Sequence, residues 1–409
     1  MLVLLFSGLL TFSSAQAATL KESFQAALKN MESIKRAEQT VVAREEQKNR
    51  AKGSLQPLVN GFATYTRIDP PQAAGASPFL LTKQYSVGVR LTQPLLRGGL
   101  LGALDLANDN ILLAKFQKEA TELNLYQLVI SSYYNLKIAQ VDVQNLEKLL
   151  NFSKDRVKEI KGRTDIGRSR RGELVEAEAQ LHASEAQYQQ GLIQLEQIEE
   201  QYKFLTKLEP AQIPDLSALP VVDGSIEAYQ ARLRNRPDIM AQKQNVKAAD
   251  AQVTIAKGSH YPSVDLIGNY YIDRTGILAT SEWDAGIQVS VPFYQGGQVV
   301  AATREAVANR RIAELTTDET IRIAERELSV LFQNYRQLQA QLAASKQAVT
   351  RSEEAYKLNK RDFSNGIVTN LDVLLSLNTF IQNKRNYDSL YAMAHMTYNN
   401  LEAATGVLP

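Results

Sequence analysis

Cysteine is absent from all 409 residues, which removes disulfides, thiolate metal sites, cysteine nucleophiles and a lipid-modified cysteine near the N-terminus. Histidine is scarce: His182, His260 and His395 lie far apart, and no metal-ligand spacing or nucleophile–base set forms around them. Neither a cofactor nor an enzymatic activity is expected. An excess of one charge is also lacking, since 46 Lys and Arg face 44 Asp and Glu. A nucleic-acid partner needs a concentrated basic footprint, so none is expected. After residue 17 no apolar run approaches the roughly 18 residues of a membrane helix. If the chain crosses a bilayer, it does so with strands.

Residues 1–17 read as a secretory signal peptide, apolar from Leu2 to Leu10 and then small up to Ala15-Gln16-Ala17. No Lys or Arg precedes the apolar run, which points to a shifted start. A mature chain begins near Ala18.

What is present is a sequence written twice. Ala51-Lys52-Gly53-Ser54 with Pro57 and Val59 returns as Ala256-Lys257-Gly258-Ser259 with Pro262 and Val264. Upstream, Leu28, Asn30, Ile34, Val41 and Ala43 return in the same register as Leu233, Asn235, Ile239, Val246 and Ala248, and Gly88 to Gly99 returns as Gly286 to Gly297. Self-similarity in fixed order marks a repeated supersecondary unit. The first repeat covers 18–208 and the second 225–409. Between them, residues 209–224 hold Pro210, Pro214 and Pro220, a linker too short for a domain and suited to lie as a belt against helices.

Each repeat carries long heptad helices. From Leu125 the spacing is four then three, through Val129, Ser132, Leu136, Ala139, Val143, Leu146, Leu150, Ser153, Val157 and Ile160. The second copy runs Leu328, Leu331, Tyr335, Leu338, Leu342, Ser345, Val349, Ser352, Tyr356. A sustained seven-residue apolar period means a left-handed coiled coil. After turns at Gly167 and Gly366 each helix has a returning partner, so each repeat holds an antiparallel hairpin. The first outgoing helix, about 98 to 162, has no proline and spans about 100 Å at 1.5 Å per residue. Small residues on the seams suit helices with neighbours on both sides, as in a wall or tube. From the helices alone, an elongated spacer is the simpler reading.

The strands argue otherwise. Tyr85, Val87, Val89 and Leu91 alternate with Ser86, Gly88, Arg90 and Thr92; Trp283, Ala285, Ile287, Val289 and Val291 alternate with Asp284, Gly286, Gln288 and Ser290. A period of two makes half-buried strands, expected at about 54–67, 83–93, 259–273 and 282–292, with loops holding Pro70, Pro71, Gly75 and Gly276. Four such strands match the outer-membrane barrel pattern, and Tyr85 and Trp283 suit a membrane-interface girdle. Four strands cannot close a barrel in lipid, so copies must combine. Two chains give eight strands and a filled interior; three give twelve and an open lumen.

These residues resemble the TolC-like outer membrane factor, or outer membrane efflux protein, family. The resemblance lies in Asn235-Arg236-Pro237-Asp238-Ile239, the Lys257 to Val264 junction, Pro292-Phe293-Tyr294-Gln295-Gly296-Gly297, and Gly366 followed by Asp372-Val373-Leu374. It covers essentially the whole mature chain. The implied fold is mainly α with a small β part: long coiled-coil helices in an α-barrel tunnel, plus four strands per chain in a trimeric twelve-stranded outer membrane β-barrel. The implied function is the exit duct of a tripartite efflux pump or type I secretion system, in the bacterial outer membrane with a long periplasmic extension. The implied partners are two further copies, outer membrane lipid, a periplasmic adaptor (membrane fusion protein), and through it an inner-membrane RND, ABC or MFS transporter. A periplasmic adaptor is the alternative, but it should carry one hairpin and a separate lipoyl-like domain.

The resemblance also implies residue roles. Gly167 and Gly366 are the periplasmic tip turns, with Thr369 beside the second. Asp372 matches an aspartate that narrows the closed entrance and selects cations; Glu173 holds the equivalent place in the first copy, and Leu375 replaces a second acidic ring. Asp372 also reads as a first-turn carboxylate favoured by the helix dipole. Arg163, Arg168, Arg170 and Arg171 make the first tip basic, as an adaptor-docking surface, a collar for anionic cargo or a solvated turn. Pro94, Gly98, Gly99, Pro292, Gly296 and Gly297 form the barrel-to-helix junction; the glycine pairs lack the Lys-Ser/Thr of a phosphate loop.

Overall fold

A computed structural model describes residues 18–67, 83–220, 222, 225–275 and 279–409. The signal peptide, Gly224 and the loop residues Pro70, Pro71, Gly75 and Gly276 lie outside the described residues. The first copy contributes α1 (Leu20–Asn30), α2 (Glu32–Gly53), β1 (Leu58–Arg67), β2 (Lys83–Leu96), α3 (Leu100–Asp165) and α4 (Arg171–Thr206). The second repeats that order as α5 (Ile226–Leu233), α6 (Pro237–Gly258), β3 (Ser263–Arg274), β4 (Trp283–Ser290), α7 (Gln298–Ser364) and α8 (Asn370–Ala403). The chain forms two compact units, one of residues up to Lys35 with Glu119–Pro237 and Arg322–Pro409, the other of Arg36–Lys118 with Asp238–Ile321.

In the first unit the heptad seam of α3 is its core. Leu125, Val129, Ser132, Leu136, Ala139, Leu146, Leu150, Ser153 and Ile160 are all buried, and Val143 and Val157 half-buried. Small residues let α4 approach closely: Ser153 and Ser184 hydroxyls meet at 3.1 Å, and a Cβ on Gly191 would stand 2.7 Å from Leu146. The α7 seam is looser. Leu328, Tyr335, Leu342 and Ser352 are buried, while Leu331, Leu338, Ser345, Val349 and Tyr356 are only half-buried. Around the upper α3 seam, Phe24, Tyr126, Tyr133, Tyr134, Tyr202 and Ile213 complete the largest apolar cluster.

The segment after α4 is extended, and α3 and α8 satisfy its backbone. Lys137 Nζ donates to the Ile213 carbonyl at 2.9 Å, Gln140 bonds both Ala211 and Ile213, and Tyr391 and His395 converge on the Ser217 carbonyl. Buried backbone groups need such partners where no ladder supplies them. Burial also pushes the His395 imidazole below its ordinary range.

The second unit holds one antiparallel sheet in the order β1-β2-β3-β4. Each copy gives a hairpin, and β2 with β3 joins them. The boundaries differ from the expected ones. β1 and β3 start four residues late, because residues after α2 and α6 close the same turns in both copies, with Leu55 N–H on the Lys52 carbonyl and His260 N–H on that of Lys257. β2 runs on to Leu96, so Pro94 lies inside the strand instead of beyond it; the register breaks between Pro94 and Leu96, where a residue without an N–H is tolerated. The apolar face is uncovered within one chain: Val87, Val89, Leu91, Trp283, Ile287 and Val289 are exposed.

Candidate functional site

Two helical turns and one sheet carry the residues singled out in the sequence. At the first turn Gly167 has φ 74°, and at the second Gly366 has φ 75°. Both turns close alike: Arg168 N–H reaches the Arg163 carbonyl at 2.8 Å, and Ile367 N–H reaches the Asp362 carbonyl at 2.9 Å. Such a six-residue closure needs a left-handed residue, which glycine adopts without a steric penalty.

The helix starts that follow diverge. Thr369 caps α8, its hydroxyl accepting from the Asp372 N–H at 3.4 Å, while the Asp372 carboxylate accepts from the Thr369 N–H at 2.8 Å. This reciprocal box satisfies donors the helix cannot, and it holds the Asp372 carboxyl below the ordinary carboxylate range, first through the Thr369 hydroxyl and then its N–H. In α4, Arg170 at the same place offers no acceptor. Glu173 therefore completes only one half, accepting from the Arg170 N–H at 3.4 Å and from the Ser169 hydroxyl. The side chains of Arg168, Arg170 and Arg171 are exposed, with no ion pair or hydrogen bond among the described residues.

A network above the turns went unread in the sequence. Ile160, Ala177, Phe363 and Val373, one from each of α3, α4, α7 and α8, form an apolar cluster. Over it lies Arg156, only 6% exposed, its Nε 2.7 Å from Asn370 Oδ1, its Nη1 2.9 Å from Glu159, and its guanidinium 3.8 Å from the Phe363 centroid. Arg163 lies over the same ring at 4.5 Å. Further along, Arg385 clamps Asp142 with bonds of 2.6 and 2.9 Å, and Asn145 donates to Asp388 at 2.8 Å, so α3 and α8 are tied repeatedly. The available signal was a basic residue flanking a seam between Ser153 and Ile160.

In the sheet, Trp283 is 69% exposed and pairs with Tyr270; Tyr85 pairs with Tyr65 and donates its hydroxyl to Asp273 at 3.1 Å. Tyr65 and Tyr270, also exposed, are aromatics the sequence reading passed over. At the helix junction a Cβ on Gly98 would stand 1.8 Å from the Gly258 carbonyl oxygen, so only glycine permits that backbone approach. Gly99 packs beside it. Gly296, Gly297 and Gly53, their counterparts, face open space, and Pro292 follows β4 in the same segment. Among the described residues, no group of acidic or histidine side chains could hold a metal, and no helix is long and apolar enough to cross a membrane.

Two coiled hairpins and a four-stranded sheet with one apolar face define the class of outer membrane channels that combine an α-barrel with a β-barrel part. The chain belongs to the outer membrane efflux protein family, whose sequence model matches residues 24–206 and 228–407. It is similar to outer membrane efflux protein BepC of Brucella suis, 24% identical over 392 residues that span 93% of this chain and 83% of that protein. The proteases secretion protein PrtF of Dickeya chrysanthemi is 25% identical over 265 residues, 59% of this chain and 55% of that one. The crystal structure of the outer membrane protein VceC of Vibrio cholerae superposes with a TM-score of 0.80 at 20% identity, covering 96% of this chain and 97% of that one. The chain is thus an outer membrane exit channel, and the adaptor alternative is set aside.

Proposed function

We propose that three copies of this chain close into one export duct, a passive exit for cargo delivered by a periplasmic adaptor and an inner-membrane transporter. The observation that carries this is the sheet: four strands, both edges open, one face apolar. In lipid each unpaired edge group costs several kcal/mol, so the edges must pair. Two copies would make eight strands, whose interior side chains fill; a duct needs the twelve of three copies.

The duplication supports one way for the edges to meet. Within one chain, β2 pairs β3 and Gly98-Gly99 seats on Gly258. The repeat-equivalent elements are β4 and β1 with Gly296-Gly297 and Gly53, which face open space. A ring results if β4 of one copy pairs with β1 of the next as β2 pairs with β3. Leu91 opposite Gly268 then becomes Val289 opposite Ala63 of a second copy. Paired cysteines at those two positions should give intermolecular disulfides in the outer membrane, because cross-strand partners place Cβ atoms about 4.5–5.5 Å apart. Cross-links only at positions shifted from this register, or none, would rule the ring out.

Within the ring, the tips form the periplasmic entrance. Three Asp372 carboxylates narrow it and favour cations, supported by a cap that keeps each one ionised. The exposed Arg168, Arg170 and Arg171 are the adaptor-docking surface, with Thr369 and the Gly366 turn beside them. Tyr85 and Trp283 sit at the membrane interface, and Pro94, Gly98, Gly99, Pro292, Gly296 and Gly297 turn the barrel into helices. The duct performs no chemistry of its own.

A further inference from the structure

The polar face of the sheet holds a cluster that the duplication does not require. Arg90 pairs in register with Asn60 and Asn269, and Asn269 pairs with Asp284. Arg90 Nε donates to Asn269 Oδ1 at 2.8 Å, and Asn269 Nδ2 donates onward to Asp284 Oδ1 at 2.7 Å. One row along, Phe62 and Tyr271 stand on either side of Gly88. With no side chain between them the rings meet edge to face, centroids 5.8 Å apart. Each ring carries a guanidinium, Arg90 at 5.3 Å from Phe62 and Arg274 at 4.0 Å from Tyr271.

The charges do not cancel. Asp284 lies 3.9 Å from Arg274, which matches that pair, whereas Arg90 has a neutral amide and a ring for partners and no carboxylate within ion-pair distance among the described residues. Another ion pair, Arg97 with Asp265 at 3.1 Å, is self-contained. By the repeat, the counterparts of Phe62, Arg90 and Tyr271 are Ile267, Gln288 and Thr66, so the scaffold folds the same way without such a cluster.

The geometry points to a cation–aromatic collar of Phe62, Arg90 and Tyr271 that favours organic anions with flat apolar parts over cations of the same size. It rests on the duct reading: with the apolar face in lipid the polar face meets the lumen, and three copies gather three unmatched guanidiniums in one ring. Flat rings and the exposed Arg90 guanidinium then offer an anionic aromatic molecule both of its complementary contacts. The sign is opposite to that of Asp372 at the entrance.

Because the chain has no cysteine, single cysteines test this without background. Thr92 shares the Arg90 face on the side towards α3, and Val89 points to the other. Outer membranes bearing the full chain are treated from outside with two small methanethiosulfonates, one carrying a sulfonate and one a trimethylammonium. Thr92→Cys should react several-fold faster with the sulfonate, and Val89→Cys with neither. Adding Arg90→Gln should level the two rates, Arg90→Lys should keep the preference, and Asp284→Asn, which removes a negative charge from the cluster, should raise it. Equal rates at Thr92→Cys, or a preference that none of these substitutions moves, overturn the collar. Reaction at Val89→Cys in place of Thr92→Cys overturns the duct reading beneath it.

Discussion

The two coil tips share a backbone and differ in chemistry. Both turn on a left-handed glycine and close with the same long hydrogen bond, yet one is ringed by unpaired arginines and the other by a closed Thr369–Asp372 box. The turn is retained in both copies because a side chain there is strained. Residues pointing outward have no such constraint. On the roles proposed above, that divergence fits a first tip that meets a partner and a second that lines the permeation path.

The comparison breaks most directly through the arginines. Reversing Arg168, Arg170 and Arg171 to Glu should reduce export to near background, with assembly in the outer membrane unchanged, while reversing Lys357, Lys360 and Arg361 beside the second tip should leave most of it. Equal losses in an export assay would mean that the tips are not specialised.

A smaller effect separates a basic residue that packs from those that do not. Arg156 bridges α3 to α8 and covers Phe363, so Arg156→Ala leaves the buried Asn370 Oδ1 without its donor and should cost about 2 kcal/mol in thermal unfolding. Arg168→Ala should cost about nothing, as exposed and unpaired charges do.

The caps sharpen the contrast further. Thr369→Ala removes a side-chain acceptor from the start of α8 and should cost about 1 kcal/mol. Arg170→Ala at the matching position of α4 should be neutral by the same measurement, since its side chain accepts nothing.

The smallest expected effect is a pH dependence. The Asp372 carboxyl is held below its usual range, so its contribution to the cap is complete above the ordinary aspartate value and fades as pH falls through the lower folded one. Block of the conductance by divalent cations should accordingly persist through the pH at which an ordinary aspartate protonates and weaken only at lower pH. Asp372→Ala should remove the block at every pH in planar bilayers.

Much of the fold was legible because two periods are strict. A seven-residue repeat must bury one stripe, and nine of the α3 seam positions from Leu125 to Ile160 are buried. Two-residue alternation likewise fixed both hairpins. Strand ends escaped because local turns after Gly53 and Gly258 compete for the first residues, and because an irregularity absorbs Pro94. The half-burial of the α7 seam was hidden as well, since a period names a face and not what covers it. Partners far apart in the chain left the least trace. Arg156 gives no sign of Phe363 or Asn370 more than two hundred residues away, and Arg90 gives none of Tyr271. Such side chains become readable only when the sheet register and the four-helix tip bring them together.

The most direct test of the duct is the mass of the protein extracted from outer membranes in mild detergent, determined by native mass spectrometry. Particles of three copies are expected, from the membrane fraction alone. Single copies in the soluble periplasmic fraction, or particles of two, would contradict the closed twelve-stranded ring.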